Sequence, residues 1–366
     1  MKRVCIGPIQ DGKAGGIDRY ILNLFENTRD EPIAFDFFTD AVHPELQAYL
    51  QERSAGLIPV SSLAHPIRQY REYRALFRSR QYDTAYFNIS TALCIFGPLA
   101  AKRSGIPKII IHSHAAGYDA SSPILRAVMT FLHKVCKIVL YRFGTDFYAC
   151  SESAGLWMFP KKTVRGDRFR VVNNAIHARA YAFDADTRAE VRAEYGLENR
   201  FVVGHIGNFL YPKNHTFLLD VFAEICRRDD DAMLLLVGDG ALFDTMRDKA
   251  KSLGIFERVV FAGRHMNASD FLQAMDVFAF PSNFEGLGIA AVEAQAAGLR
   301  CVCSEFVPKE TAVTNLSVTV PISSSDSVPQ WAQTLLEAKG ADRPDTGQAL
   351  SDAGFDIDTM DYSKLL

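Results

Sequence analysis

Glu285 and Glu293 stand in the run Pro281-Ser-Asn-Phe-Glu-Gly-Leu-Gly-Ile-Ala-Ala-Val-Glu-Ala. The apolar segment 277–280 before them reads as a buried strand, and 289–297 after them as a helix ended by Gly298. The first carboxylate then sits on the strand-to-helix turn and the second within the helix. Between them, Gly286, Leu287 and Gly288 let the backbone pass close to a ligand, with the N–H groups of the helix start facing it. Two acceptors for hydroxyl groups beside a bed of donors for phosphate suit a sugar carried on a nucleotide diphosphate.

Further candidates lie where a strand gives way to a helix. Lys213 follows an apolar run ending near Gly207, and an ammonium fixed there can neutralise charge that builds on a leaving phosphate. His112 and His114 close a run of isoleucines and share one face of a strand end. With no third ligand at a credible spacing, a sugar contact by one of them is expected and a metal site is not. Gly15 and Gly16 follow the first strand and open a helix, so their N–H groups can approach a diphosphate or a sugar. The loop matches neither a dinucleotide fingerprint nor a Walker loop. Gly238-Asp-Gly240 reads as turn chemistry, and the paired acids at 184/186, 229–231 and 356/358 as surface charge.

These residues need a scaffold of alternating strands and helices, and the chain supplies one. Strands are expected at 3–8, 34–39, 84–88, 108–112 and 146–150, then at 201–207, 233–237, 259–262, 277–281 and 300–304. Amphipathic helices fall between them, for instance 17–26, 67–78, 215–227, 241–253 and 268–275. The expected class is α/β, with one doubly wound domain over 1–175 and a second over 176–366, whose tail is free to cross back to the first. At 366 residues, 48% hydrophobic and 23% charged, the chain can fill two ordinary cores.

Residues 1–175 carry 23 Lys and Arg against 15 Asp and Glu, a balance of +8, while 176–366 carry 17 against 28, or −11. A basic half points to an anionic surface, and the segment 67–80 interleaves Arg68, Arg71, Arg74, Arg78 and Arg80 with Ile67, Tyr70, Tyr73 and Phe77. That segment is the expected contact with a membrane face; no nucleic-acid motif is present. The seven cysteines are expected to be reduced, with Cys301 and Cys303 on opposite faces of their strand. The start of the chain reads directly as a strand, so a cytoplasmic protein is expected, peripheral on the inner face of the plasma membrane.

Taken together, the segments resemble the retaining glycosyltransferases of family 4, in particular bacterial exopolysaccharide and capsule enzymes. The match is strongest at Phe284-Glu-Gly-Leu-Gly-Ile-Ala-Ala-Val-Glu-Ala-Gln-Ala-Ala-Gly298, the family's Glu-x7-Glu element. Gly207 to Lys213, Gly238-Asp-Gly240, Phe261-Ala-Gly-Arg264 and Asp276 also fit, with Gly15-Gly16 and His112-Ser-His114 in the first half. The resemblance implies the GT-B fold, two Rossmann-like domains facing across a cleft, the first on the acceptor side and the second binding the nucleotide-sugar. It implies transfer of a hexose, from a UDP-sugar by family habit, to a glycan or polyprenyl-linked acceptor with anomeric retention and without a bound metal or other cofactor. Glu285 then holds sugar hydroxyls, Glu293 the ribose, and Gly286, Leu287, Gly288 and Lys213 the diphosphate, while His114 lines the sugar and acceptor pocket. Asn208 stands where the family carries Arg, which removes a bidentate phosphate contact; Arg264 is the nearby candidate to replace it. The alternatives are another GT-B chemistry, an epimerase or phosphorylase, or a weakly catalytic sugar-nucleotide-binding protein.

Overall fold

The structure, a computed structural model, describes residues 1–12, 15–120, 122–265 and 267–366. The chain divides into two compact units, one of residues 1–175 with 360–366, the other of 176–359. Each is built on a parallel sheet.

The sheet of the first unit contains β1 (Lys2–Gly7), β2 (Ile33–Thr39), β3 (Gly56–Pro59), β4 (Thr84–Ile89), β5 (Lys108–Ser113), β6 (Asp146–Ala149) and β7 (Phe169–Val171). Their order is β3-β2-β1-β4-β5-β6-β7. The second sheet contains β8 (Phe201–Ile206), β9 (Ala232–Val237), β10 (Val259–Gly263), β11 (Val277–Phe280), β12 (Arg300–Cys303) and β13 (Ser317–Thr319), ordered β10-β9-β8-β11-β12-β13. Both follow one plan: the chain winds outward from the first strand, then returns to its other side. The order therefore reverses between β1 and β4, and again between β8 and β11. Beyond the carboxyl ends of such strand pairs, diverging loops leave a crevice where α/β proteins bind ligands.

The central strands are runs of Val, Ile, Leu, Phe and Ala because helices cover both sheet faces. All six residues of β4 are buried. In the second unit Val203, Leu234, Leu236, Val277, Ala279 and Val302 pack on one side of the sheet with Phe222 and Trp331. Leu235, Phe278 and Phe280 pack on the other. Cys301 and Cys303 both join this second cluster, whereas Val302 enters the first. This corrects the expectation of opposite faces: residues two apart on a strand share a face. None of the seven cysteines is in a disulfide.

Polar clasps fix the frame that carries the second site. Asp276, at the entry to β11, accepts from Arg188 Nη2 at 2.5 Å, Arg192 Nη2 at 2.7 Å and the Val202 N–H at 2.7 Å. The helix Ala185–Tyr195 is thereby tied to the starts of β8 and β11. In the first unit Lys108 Nζ donates to the carbonyls of Leu365 and Leu366 at 2.9 Å each, so the last residues are held against the first sheet.

The basic segment forms the helix Pro66–Ser79, but Tyr73, Leu76 and Phe77 are buried in the core of the first unit. Arg68 is paired with Glu72 at 2.8 Å. The helix offers charge outward and spends most of its apolar side inward, unlike a membrane-lying amphipathic helix. No described helix is long and apolar enough to cross a membrane.

Candidate active site

Lys213 and Glu285 are distant in sequence and meet because β8 and β11 are neighbours at the second reversal point. Lys213 closes the short turn Tyr211–Lys213 after β8, and Asn214, in left-handed geometry with φ 53°, starts the next helix. The Asn214 side-chain amide donates to the Pro281 carbonyl at 3.1 Å, so the β8 loop is stitched to the end of β11. Lys213 Nζ lies 2.7 Å from Glu285 Oε1 and 4.7 Å from the centroid of the Phe280 ring. The Ser282 hydroxyl donates to the same Glu285 oxygen at 2.8 Å. Both charged side chains retain some exposure, 21% for Lys213 and 12% for Glu285, so the pair is reachable from solvent.

Glu285 leads into Gly286, Leu287 and Gly288 and then into the helix Ile289–Ala296. Gly288 has φ +89°, and a Cβ there would lie 2.9 Å from the Phe280 ring. Only glycine can turn the chain here while it lies against β11. The Leu287 carbonyl is held by the Thr311 hydroxyl. Thr311 belongs to a loop braced by Gln295, which donates to its carbonyl at 2.8 Å and accepts from the Val313 and Thr314 N–H groups at 3.1 and 3.0 Å. The first N–H groups of this helix have no intrahelical acceptor by the geometry of any helix start. Its positive end lies beside the Lys213 ammonium, which makes the turn a place for an anion.

Glu293 is 4% exposed, on a helix whose residues from Ala290 to Ala296 are all buried. A carboxylate in such surroundings must be paired. The Tyr181 hydroxyl donates to its Oε1 at 2.7 Å. Under Lys213, His205 and His215 are buried with ring centroids 4.8 Å apart. Burial lowers the pKa of both, that of His205 to about 4, and the nearby Lys213 charge acts in the same direction. Neutral imidazoles beneath an ammonium add no competing charge.

The neighbouring turns interlock by backbone contact. The Gly207 N–H donates to Val237 at 2.9 Å, Phe209 to Asp239 at 2.9 Å, and Gly238 to Gly263 at 2.8 Å. Gly238 has φ +144°, and a Cβ on it would lie 2.2 Å from the Gly207 carbonyl oxygen, which explains Gly238-Asp-Gly240 as packing. Asn208 and Arg264 are exposed on these turns.

At the other reversal point, β1 and β4 border a cavity of ≈ 380 Å³ lined by Gln10, Gly15, Gly16, Asp18, Asp40, Asn88, Ser90 and Thr91 among others. A second cavity of ≈ 280 Å³ shares Pro8, Asp40, Ile89 and Cys94 with it. Asp18 is buried and folds the glycine loop over itself, accepting from the Gln10 N–H at 3.1 Å and the Gly12 N–H at 2.9 Å. Burial raises its pKa, and those two hydrogen bonds oppose the rise. Lys13 and Ala14 of the predicted loop Gln10-Asp-Gly-Lys-Ala-Gly-Gly16 lie outside the described residues.

His112 is fully buried, with Nδ1 3.0 Å from the Tyr86 hydroxyl, which lies 2.7 Å from that of Tyr20. His112 thus belongs to the interior of the first unit. His114 Nε2 is 2.9 Å from Asn88 Oδ1, and Asn88 lines the cavity. Burial pushes both histidines down, His114 to about 3, so both are neutral. Asn88 Nδ2, His114 Nδ1 and His112 Nε2 are buried without a hydrogen-bond partner. Among the described residues no three His, Cys, Asp or Glu side chains gather in a metal-binding group.

The structure thus joins Lys213, Glu285, Gly286, Leu287 and Gly288 in one turn, with Glu293 on the helix that follows. It collects Gly15, Gly16 and, through Asn88, His114 around another. Sequence reading missed the bracing roles of Tyr181, Ser282 and Gln295, and the lining roles of Asn88, Asp18 and Asp40. A Tyr distant in sequence carries no local sign that it will meet Glu293. Asn88, by contrast, could have been found as a polar residue at the end of a buried strand.

Residues 187–333 match the family model Glycosyl transferases group 1. The putative glycosyltransferase EpsF of Bacillus subtilis (strain 168) is 27% identical over 351 residues, 93% of this chain and 90% of that protein. A GDP-mannose-dependent alpha-(1-6)-phosphatidylinositol monomannoside mannosyltransferase of Mycolicibacterium smegmatis is 31% identical over 248 residues, 63% of this chain and 60% of its own length. Among solved structures, Anabaena Alr3699/HepE in complex with UDP-glucose superposes with a TM-score of 0.77 at 19% identity, covering 100% of this chain and 99% of that one. With its two doubly wound sheets and these matches, the chain has the GT-B fold of its solved neighbours and is similar to the group 1 glycosyltransferases over residues 187–333.

Proposed function

We propose that this glycosyltransferase moves a hexose from a UDP-sugar to a glycan or polyprenyl-linked acceptor, with retention at the anomeric carbon, in making an exopolysaccharide or other cell-surface polysaccharide. The observation that carries the reading is the Lys213–Glu285 pair at the glycine-bounded start of the helix Ile289–Ala296. A diphosphate at the N–H groups of 286–288 competes with Glu285 for the Lys213 ammonium and frees a carboxylate oxygen to accept sugar hydroxyls. Glu293, braced by Tyr181, takes the ribose hydroxyls. Arg264 supplies cationic charge that Asn208 does not. The likeness to HepE in complex with UDP-glucose favours UDP; the GDP-mannose-dependent mycobacterial relative makes GDP the competing nucleotide.

In this reading the bond from the anomeric carbon to the β-phosphate oxygen breaks and a bond to the acceptor oxygen forms on the same face. The acceptor's proton passes to the leaving phosphate oxygen, and Lys213 offsets the charge growing there. Neither glutamate serves as the base, and no metal ion is required. The first unit receives the acceptor: its described lining holds Asp18 and Asp40 with amide and hydroxyl groups, which suit sugar hydroxyls and disfavour a diphosphate at Gly15 and Gly16. His114 orients Asn88 toward that ligand. The protein works in the cytoplasm, at the inner face of the membrane that carries the acceptor.

A thermal-shift screen over UDP-, GDP-, ADP- and TDP-hexoses, followed by hydrolysis of the best binder without acceptor, tests this. Stabilisation by a UDP-hexose with slow release of UDP is expected. A flat screen contradicts a nucleotide-sugar enzyme, and a phosphate-dependent release points to a phosphorylase.

A further inference from the structure

The helix Pro123–Leu140 buries only His133 and Leu140 among its residues, although it is among the most apolar segments of the first unit. Ile124, Val128, Phe131, Val135 and Ile138 follow one another at spacings of four and three, so they form a single stripe. All are exposed, Ile124 to 79%, Phe131 to 65% and Ile138 to 62%, and Leu125, Leu132 and Val139 widen the stripe along one edge. Monomeric soluble proteins rarely leave so long an apolar face to water without a use for it. The helix carries Arg126, Lys134 and Lys137 and no carboxylate. Arg142 follows it and is also exposed.

Its attachment is specific. The Ala92 N–H donates to His133 Nδ1 at 3.0 Å, so the proton is on Nε2, which donates to the Trp157 carbonyl at 3.0 Å. The imidazole stacks on the Trp157 ring at 3.8 Å. Thr91, also within 3.2 Å of Nδ1, lines the larger cavity of this unit. One buried side chain thus links the exposed helix to the cavity wall.

We propose that the helix Pro123–Leu140 lies in the plane of an anionic lipid bilayer, with its Ile124–Val128–Phe131–Val135–Ile138 stripe in the acyl boundary and its basic residues at the headgroups. An apolar stripe on a helix whose own charged residues are all cationic is the pattern of an interfacial helix. A second copy of the chain fits less well. A two-fold contact stripe to stripe sets two helices bearing only Arg126, Lys134 and Lys137 as charged residues against each other, with no carboxylate on either to offset them. The helix Pro66–Ser79 lacks the apolar stripe. The proposal deepens the reading of a lipid-linked acceptor, because it sets the cavity wall at Thr91 next to the surface where such an acceptor resides.

The test is co-sedimentation of the full chain with phosphatidylglycerol/phosphatidylcholine vesicles and with phosphatidylcholine alone. Wild type is expected to bind the anionic vesicles preferentially and to be released by high salt. Phe131→Glu/Ile138→Glu should lower the partition coefficient at least about tenfold, since two exposed apolar anchors are lost. Lys134→Gln/Arg142→Gln should weaken binding to the anionic vesicles alone, and this pair leaves the apolar stripe intact if the first variant folds poorly. Arg71→Glu/Arg78→Glu on the helix Pro66–Ser79 should have the smaller effect. Wild-type retention by the Phe131/Ile138 variant, absence of vesicle binding by wild type, or a dimer in sedimentation velocity that this variant dissolves would each overturn the proposal. UDP-hexose thermal shifts on the same proteins report separately on the donor reading, which survives the loss of vesicle binding.

Discussion

The two units share a strand order and a reversal point, yet they furnish them with opposite chemistry. At β8 and β11 the reversal point holds an ion pair, Lys213 with Glu285, beside a helix start and a second, buried glutamate. At β1 and β4 it holds amides, hydroxyls and aspartates, and the nearest histidines are kept neutral by burial. Topology therefore sets where a ligand can bind, and the loop residues set which one. A diphosphate finds cationic charge and helix N–H groups in the second unit. A neutral polyol finds donors and acceptors in the first.

Four perturbations break or sharpen this contrast. The largest effect belongs to Lys213→Ala, which should cut turnover by about 10²–10³-fold, the usual cost of removing one preorganised stabiliser of developing charge. Steady-state transfer assays read it, and retention of most activity would refute the assignment. In the first unit, Asn88→Ala should raise the KM for acceptor about tenfold, one hydrogen bond's worth, with acceptor-free hydrolysis of the donor unchanged. Loss of both activities together would dissolve the division of labour. Tyr181→Phe removes the hydroxyl that holds Glu293 and should raise the donor KM by up to about tenfold with a small change in kcat.

The smallest effect is on the pH dependence of stability, and it should appear in both units. Burial holds the folded pKa of His205 at about 4 and that of His114 at about 3. In the unfolded chain a histidine takes up its proton near pH ~6.5. The unfolded state thus binds more protons in between. Stability is fully present above that unfolded value and declines as pH falls toward about 4 for His205 and about 3 for His114. Calorimetric Tm should drop on acidification, and His205→Asn and His114→Asn should each flatten the slope.

Much of this arrangement was legible in the sequence. The ten expected strands were bounded to within a residue or so, because buried parallel strands are continuous apolar runs framed by turns. The short strands β3, β7 and β13 were missed, since three or four residues at or beside a sheet edge carry too little pattern. In the site, Glu285, Glu293 and Lys213 could be read because each sits at a strand-to-helix turn or helix start with a chemically pointed residue type. Tyr181 and Gln295 act only after folding brings distant segments together. The helix Pro123–Leu140 also escaped notice. The Arg-rich segment 67–80 drew the membrane reading instead, because sequence shows amphipathicity but not which apolar side chains the core consumes.

The central claim is that the nucleotide-sugar sits at the second unit's reversal point and the acceptor at the first. Calorimetric titration of a UDP-hexose into wild type, Glu285→Gln and Asn88→Ala tests it most directly. The account predicts equal affinity for wild type and Asn88→Ala, with at least about tenfold weaker binding to Glu285→Gln, which loses a charged partner of the sugar hydroxyls. Unchanged affinity in Glu285→Gln with loss of binding in Asn88→Ala would contradict it.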